Sequence, residues 1–166
     1  MALKRSLKGN PGRIVNISSV GGKLAGPFIG AYITSKHGLE GFSDSLRREL
    51  MLYGIDVIVV APGSVATSIW DKAEAFDLSA YKNTDYATAM KNYRDYIIQQ
   101  GRKGYTPERI GEKIWKALTV HNPSARYAVV PQRLFNWIIP MMLPKRLVDK
   151  MIARQLGFKR SWFEGR

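Results

Sequence analysis

The chain has no cysteine in its 166 residues, so a disulfide framework, a thiolate metal site and a thiol nucleophile are all excluded. That composition is compatible with a reducing, cytoplasmic setting. Histidine is nearly as scarce. His37 and His121 are far apart and lack a carboxylate-rich setting, so no metal site is expected. No apolar run reaches the ~20 residues that span a bilayer, because Pro140 and Pro144 break the stretch after Pro131. Residues 1–10 hold Lys and Arg but no long apolar core, which argues against a secretory signal. Internal repeats and low-complexity segments are missing too. Acidic residues are short, 13 against 26 basic ones, for a formal charge of +13. Such a charge attracts nucleic acid or an anionic membrane surface; the preferred reading is a solvated cationic face, with nucleic acid set aside as a partner.

What is present fits one globular domain, at 45% hydrophobic and 23% charged residues. Residues 1–10 read as the last turns of a helix stopped by Gly9, and Asn10-Pro11-Gly12 as a turn. Arg13-Ile14-Val15-Asn16-Ile17 is a short β run, and 55–61 is a continuous β-branched one. Unbroken apolar strands are those covered on both faces, as in a parallel sheet. Between them 31–52 reads as a helix with Leu39, Phe42, Leu46 and Leu50 as one inward stripe, ended by Tyr53-Gly54. Strand, helix, strand makes a right-handed crossover. Ligands of such sheets bind beyond the carboxyl ends of the strands, where Ser19 and Pro62-Gly63 fall.

Tyr32 and Lys36 are four residues apart, one above the other on a helix face. Taken alone this is an ordinary helix face. A free phenol has a pKa near 10, and bringing it toward neutrality means a shift of about three units, or ~4 kcal/mol. An ammonium one turn away favours the phenolate, and Ser19 supplies a hydroxyl beside it. A phenol so tuned and a hydroxyl donor suit proton transfer at a carbonyl or alcohol oxygen.

Asn16-Ile17-Ser18-Ser19, then Ala31-Tyr32-Ile33-Thr34-Ser35-Lys36, then Ala61-Pro62-Gly63-Ser64-Val65-Ala66-Thr67 occur in order, with a Gly-rich loop (Gly21, Gly22, Gly26) after the serines. This arrangement resembles the short-chain dehydrogenase/reductase family, closely over residues 10–70 and in outline beyond. The resemblance implies an α/β fold, a partial Rossmann-like, doubly wound parallel sheet without the N-terminal dinucleotide-binding βαβ units. It also implies roles. Tyr32 is the general acid/base, Lys36 holds the nicotinamide ribose and lowers the tyrosine pKa, and Ser19, thirteen residues before Tyr32, orients the substrate oxygen. Pro62, Gly63, Val65 and Thr67 contact the nicotinamide. The cofactor is NAD or NADP, which supplies the hydride, and the substrate is an alcohol or ketone.

The family's Gly-x-x-x-Gly-x-Gly turn, its Asn-Asn-Ala-Gly stretch and the asparagine of its catalytic tetrad have no counterpart before Ser19. The expectation is therefore a C-terminal half with little or no turnover alone. Its strand at 13–17 then has an open edge, a site for pairing with another chain, and the 31–52 helix offers a second homo-oligomer surface. The rival reading is a non-catalytic association module or a basic membrane-surface binder.

In the second half, 67–104 corresponds to the family's substrate loop and its helices. Trp70 and Phe76 are candidates to line an apolar pocket, or else they pack those helices. A helix over 86–100 is expected to stop at Gly101. Thr106-Pro107-Glu108 predicts another helix start, with Ile110, Ile114, Trp115 and Leu118 inward, and 126–130 a third strand. Leu147, Val148, Met151, Ile152 and Leu156, among Lys145, Arg146, Lys150 and Arg154, predict a basic amphipathic helix. It caps the pocket, packs on a partner subunit or, with the segment from 134, lies on an anionic membrane. The tail, 159–166, reads as frayed.

Overall fold

The computed structural model describes residues 12–158. The expected helix end at 1–10, the turn through Asn10 and Pro11, and the tail at 159–166 lie outside the described residues. Strands β1 (Arg13–Ile17), β2 (Asp56–Pro62) and β3 (Arg126–Val129) form a parallel sheet in the order β1-β2-β3. Arg13 stands opposite Asp56 and Ile17 opposite Val60, while Val59 stands opposite Arg126 and Pro62 opposite Val129. Helix α1 (Gly30–Leu50) crosses from β1 to β2. Helices α2 (Ile69–Glu74), α3 (Ala87–Arg102) and α4 (Pro107–Thr119) lie between β2 and β3. After β3 come a π-helical turn at Leu134–Ile138, the short α5 (Ile139–Met142) and α6 (Lys145–Leu156).

The continuous apolar run of β2 has a direct cause. Residues alternate between the faces of a strand, and α1 packs on the sheet as well as α4. Ile58 and Val60 join Ile110, Ala117 and Val129 in the core, while Val57, Val59 and Ala61 are buried as well. Burying each such side chain contributes roughly 1.5–3 kcal/mol. At the opposite end of the sheet, the Arg13 guanidinium donates to the carbonyls of Leu118 (2.7 Å) and Ala117 (3.3 Å), closing the last turn of α4.

Three expectations are corrected. The inward face of α1 is centred on buried Glu40 and Ser43, and Phe42 is 60% exposed. The polar groups are accepted there because they are satisfied: Ser43 donates to the Leu39 carbonyl (2.6 Å) and receives the Asn16 amide (2.8 Å). On α4 Ile110 and Ile114 face the core as expected, joined by fully buried Ala117, whose small side chain lets the helix approach the sheet. Trp115, 69% exposed, and Leu118 face outward. Finally, Gly101 does not end α3 but lies within it, buried, with the indole of Trp70 against its Cα where a methyl group has no room. Two helices do stop at a glycine: α6 at Gly157, φ 71°, and α1. The last turn of α1 leads to Gly54 in the left-handed region, φ 62°.

Candidate active site

Beyond Ile17 the Ser18 amide still donates to the Val60 carbonyl at 2.8 Å, so the parallel ladder carries the chain to Ser19. Ser19 is extended and caps the 3-10 turn Val20–Gly22, its Oγ accepting from the Gly21 amide at 3.0 Å. That bond occupies a lone pair and leaves the hydroxyl proton free to donate. Tyr32, half-exposed, lies in the first turn of α1. A Cβ built on Gly21 would lie 3.2 Å from Tyr32 Cε1 and 3.5 Å from Ser19 Oγ, so this glycine marks where the two side chains meet. Lys36 Nζ donates to the Ile17 carbonyl at 3.2 Å and lies 5.8 Å from the centre of the Tyr32 ring. The hydroxyl, the phenol and the ammonium thus converge at the carboxyl end of β1.

Pro62, Gly63, Val65 and Thr67 lie at and beyond the end of the neighbouring strand. The Gly63 amide donates to Val129 at 3.0 Å, Tyr105 to the Ser64 carbonyl at 3.1 Å, and Ala66 to the Tyr105 carbonyl at 2.9 Å. Val65 packs its side chain against the core and gives its carbonyl to the Trp70 indole at 2.7 Å. Its amide donates to no protein group among the described residues, and Thr67 is exposed. The loop is therefore rigid, with a free N–H at its rim, but no hydrogen bond joins it to Tyr32 or Lys36 among the described residues.

Trp70, on α2, packs its ring against Gly101 of α3, which joins the two helices. Phe76 is exposed, and its carbonyl holds Arg94 at 3.3 Å. A cavity of about 360 Å³ lies instead between Ala25, Gly26 and Pro27 on one side and Ile152, Ala153 and Phe158 on the other. Beside it the Phe28 ring meets Tyr93 (5.7 Å), Tyr86 (6.0 Å) and Phe158 (6.3 Å). Phe28 has φ 65°, a left-handed conformation costly for an aromatic residue. Burial pushes the Tyr93 phenol above its ordinary value, with Tyr96 and Tyr32 close enough to add to it. Tyr93 and Tyr32 therefore share one neighbourhood. A larger hollow of about 430 Å³ lies among Glu74, Arg94, Gln99 and Arg102 and is rimmed by surface ion pairs.

The support of the serine turn was not foreseen from sequence. Buried Glu40 receives three hydrogen bonds from Arg126, at 2.9, 3.0 and 3.2 Å. Arg126 also reaches the Ser19 carbonyl at 3.5 Å and stacks on Trp137, 4.4 Å from the ring. A Cβ on Gly22 would lie 2.7 Å from Glu40 Cγ and 2.8 Å from Ser18 Oγ, so the turn rests directly on this ion pair. Ser18 Oγ is buried without a partner among the described residues. One Glu among several charged residues of a helix and an Arg opening a strand carry no local signal of pairing; only the fold brings them together.

Comparison with known proteins settles the family. The model of the short chain dehydrogenase family matches residues 1–77, a span that contains Ser19, Tyr32, Lys36 and the loop from Pro62 to Thr67. The chain belongs to the short-chain dehydrogenase/reductase family. It is 35% identical over 145 residues to the NADPH-dependent 3-dehydrocapnine reductase of Ornithobacterium rhinotracheale, covering 87% of this chain and 51% of that protein. It is also 35% identical over 124 residues to the 3-ketodihydrosphingosine reductase of Bacteroides thetaiotaomicron, covering 75% of this chain and 46% of the relative. Among solved structures, a short-chain dehydrogenase from Streptomyces avermitilis superposes with a TM-score of 0.60 at 22% identity, over 89% of this chain and 52% of that one. That likeness shows the Rossmann-like α/β fold. The chain spans about half the length of the curated relatives it matches.

A nicotinamide cofactor belongs to this family, and its reactive end fits the residues present. The Lys36 ammonium, the unengaged Val65 amide and the exposed Thr67 stand around the carboxyl ends of adjacent strands. The phosphate end of a dinucleotide finds no Gly-rich strand-to-helix turn among residues 12–158, since Gly21 and Gly22 are packed under Tyr32 and over Glu40.

Proposed function

We propose that this chain carries the proton-transferring half of an NAD- or NADP-dependent oxidoreductase acting on an alcohol/ketone pair. The observation that supports it above all is the approach of Ser19 and Tyr32 to Gly21, with the Lys36 ammonium beside the Tyr32 ring at the end of β1. The nicotinamide, when bound, supplies or accepts the hydride. Ser19 keeps its hydroxyl proton free and donates it to the substrate oxygen. Tyr32 gives its proton to that oxygen during reduction and takes it back during oxidation. The Lys36 ammonium stabilises negative charge on the phenol oxygen as the proton leaves. Pro62, Gly63, Val65 and Thr67 form the wall against which the nicotinamide lies. Two relatives are reductases by name, one of them NADPH-dependent. The Phe28 cluster beside the cavity near Tyr93 favours a hydrophobic substrate.

Without a phosphate-binding turn among the described residues, the chain alone binds NAD(P)H weakly and turns over little. Fluorescence titration tests this, and micromolar affinity for NADPH would overturn it. Complementation tests the activity: mixing with a separately expressed first half of a relative restores reduction of a hydrophobic ketone. Tyr32→Phe then lowers the rate by about 10²–10⁴-fold, the usual contribution of a positioned acid/base. Restored activity indifferent to Tyr32→Phe rules out the assigned role.

A second reading has its own observation. No described strand pairs with the outer side of β1, and Phe42 projects from α1, so the chain serves as an association module through that edge or that helix. Light scattering of a dilute, cooperatively folded monomer would remove this reading.

A further inference from the structure

We propose that the outward face of α6, together with the apolar segment 134–142 before it, is a docking surface for an anionic lipid bilayer. The proposal is independent of the oxidoreductase reading. At 100° per residue, Val148, Ile152 and Leu156 lie on one side of α6. That side packs toward α3, where the Asn92 amide donates to the Leu156 carbonyl at 3.0 Å. Asp149 and Ala153 lie along the same flank, at the cavity beneath Pro27. The opposite side carries Lys150 and Arg154, and the strip between them and Val148 is apolar and open: Leu147 and Met151 there are 44% and 55% exposed. Through Leu143 and Pro144 the helix joins a segment in which Leu134, Phe135, Met141 and Met142 are all exposed.

The charge on this stretch selects the occupant. Residues 131–158 hold five cations (Arg133, Lys145, Arg146, Lys150 and Arg154) against Asp149 alone, and Asp149 is on the flank turned toward the cavity. An apolar stripe bordered by Lys and Arg is what an interfacial helix needs: side chains enter the acyl boundary while cations meet anionic headgroups. No described helix is long and apolar enough to cross a membrane, so the segment lies on the bilayer rather than through it.

The test is sedimentation of the full 166-residue chain with vesicles of phosphatidylcholine alone or mixed with phosphatidylserine. The chain is expected to pellet with the anionic vesicles, and to be released in about 0.5 M salt, where the screening length falls to a few ångströms. Each cation near an anionic surface is worth about fivefold, so Lys150→Glu with Arg154→Glu lowers affinity by about 30-fold or more. Leu147→Ser with Met151→Ser lowers it by about tenfold or more, while Phe42→Ser leaves it unchanged. Circular dichroism checks that each variant keeps its helices. Equal binding to both vesicle types, indifference to the α6 variants, or absent binding together with a dimer that Leu147→Ser and Met151→Ser abolish would each overturn the proposal. In the last case the face is covered by a second copy of the chain.

Discussion

β1 and β2 are neighbouring strands in parallel register, both apolar, yet their surroundings differ sharply. β2 has a hydrogen-bonded strand on each side and a helix on each face, and the residues from Val57 to Ala61 are fully buried. β1 has a described strand on one side only; its residues are half-buried, and Ile17 is 41% exposed. The same kind of sequence is therefore core in one place and edge in the other. Composition says that a strand is suited to burial, whereas its place in the sheet decides how much burial it receives. The candidate site straddles the two strands, drawing Ser19, Tyr32 and Lys36 from the end of β1 and its helix, and Pro62, Gly63, Val65 and Thr67 from the end of β2.

This contrast can be tested by mutation. The largest effect is expected at the centre: Ile58→Ala costs about 2–5 kcal/mol, read as a fall in the urea midpoint. Ile17→Ala at the edge costs less than about 1 kcal/mol in the same titration; equal costs would erase the distinction. Next comes Glu40→Gln, which leaves Arg126 facing a neutral amide in a largely buried place. A loss of about 3 kcal/mol is expected, with Ser19 less firmly held, so the complemented enzyme loses rate as well as melting temperature. A smaller penalty, about 1–3 kcal/mol, attends Gly101→Ala, whose methyl group meets the Trp70 ring; thermal denaturation reads it. Smallest of all are the outward-facing aromatics. Trp115→Ser and Phe42→Ser should shift stability by no more than about 0.5 kcal/mol in either direction. A larger loss at Phe42 in concentrated solution alone would reveal self-association through α1.

The misplaced inward faces have a common cause. Reading Leu39, Phe42, Leu46 and Leu50 as a stripe assumes that apolar residues choose the buried side of a helix. In α1, however, Glu40 is neutralised by Arg126 from β3, and Ser43 is satisfied by Asn16 from β1. These long-range pairs remove the desolvation penalty, so a polar line can be the inward one. Trp115 misleads in the same way, because Ala117 allows a closer approach to the sheet than an indole does. Gly101 reads as a helix stop until Trp70, thirty-one residues earlier, needs the space above its Cα.

Local chemistry alone determined the order strand, helix, strand, the start of α4 with Pro107 as its first residue, and the spacing that stacks Tyr32 on Lys36, because each depends on neighbours within a few residues. Tertiary structure decided the rest: the approach of Ser19 and Tyr32 to Gly21, the ion pair beneath the serine turn, the strained Phe28 among its aromatic partners, and which strand is central. Those features join residues from 13 to more than 80 positions apart. Their energies exist only once the sheet has brought the segments together.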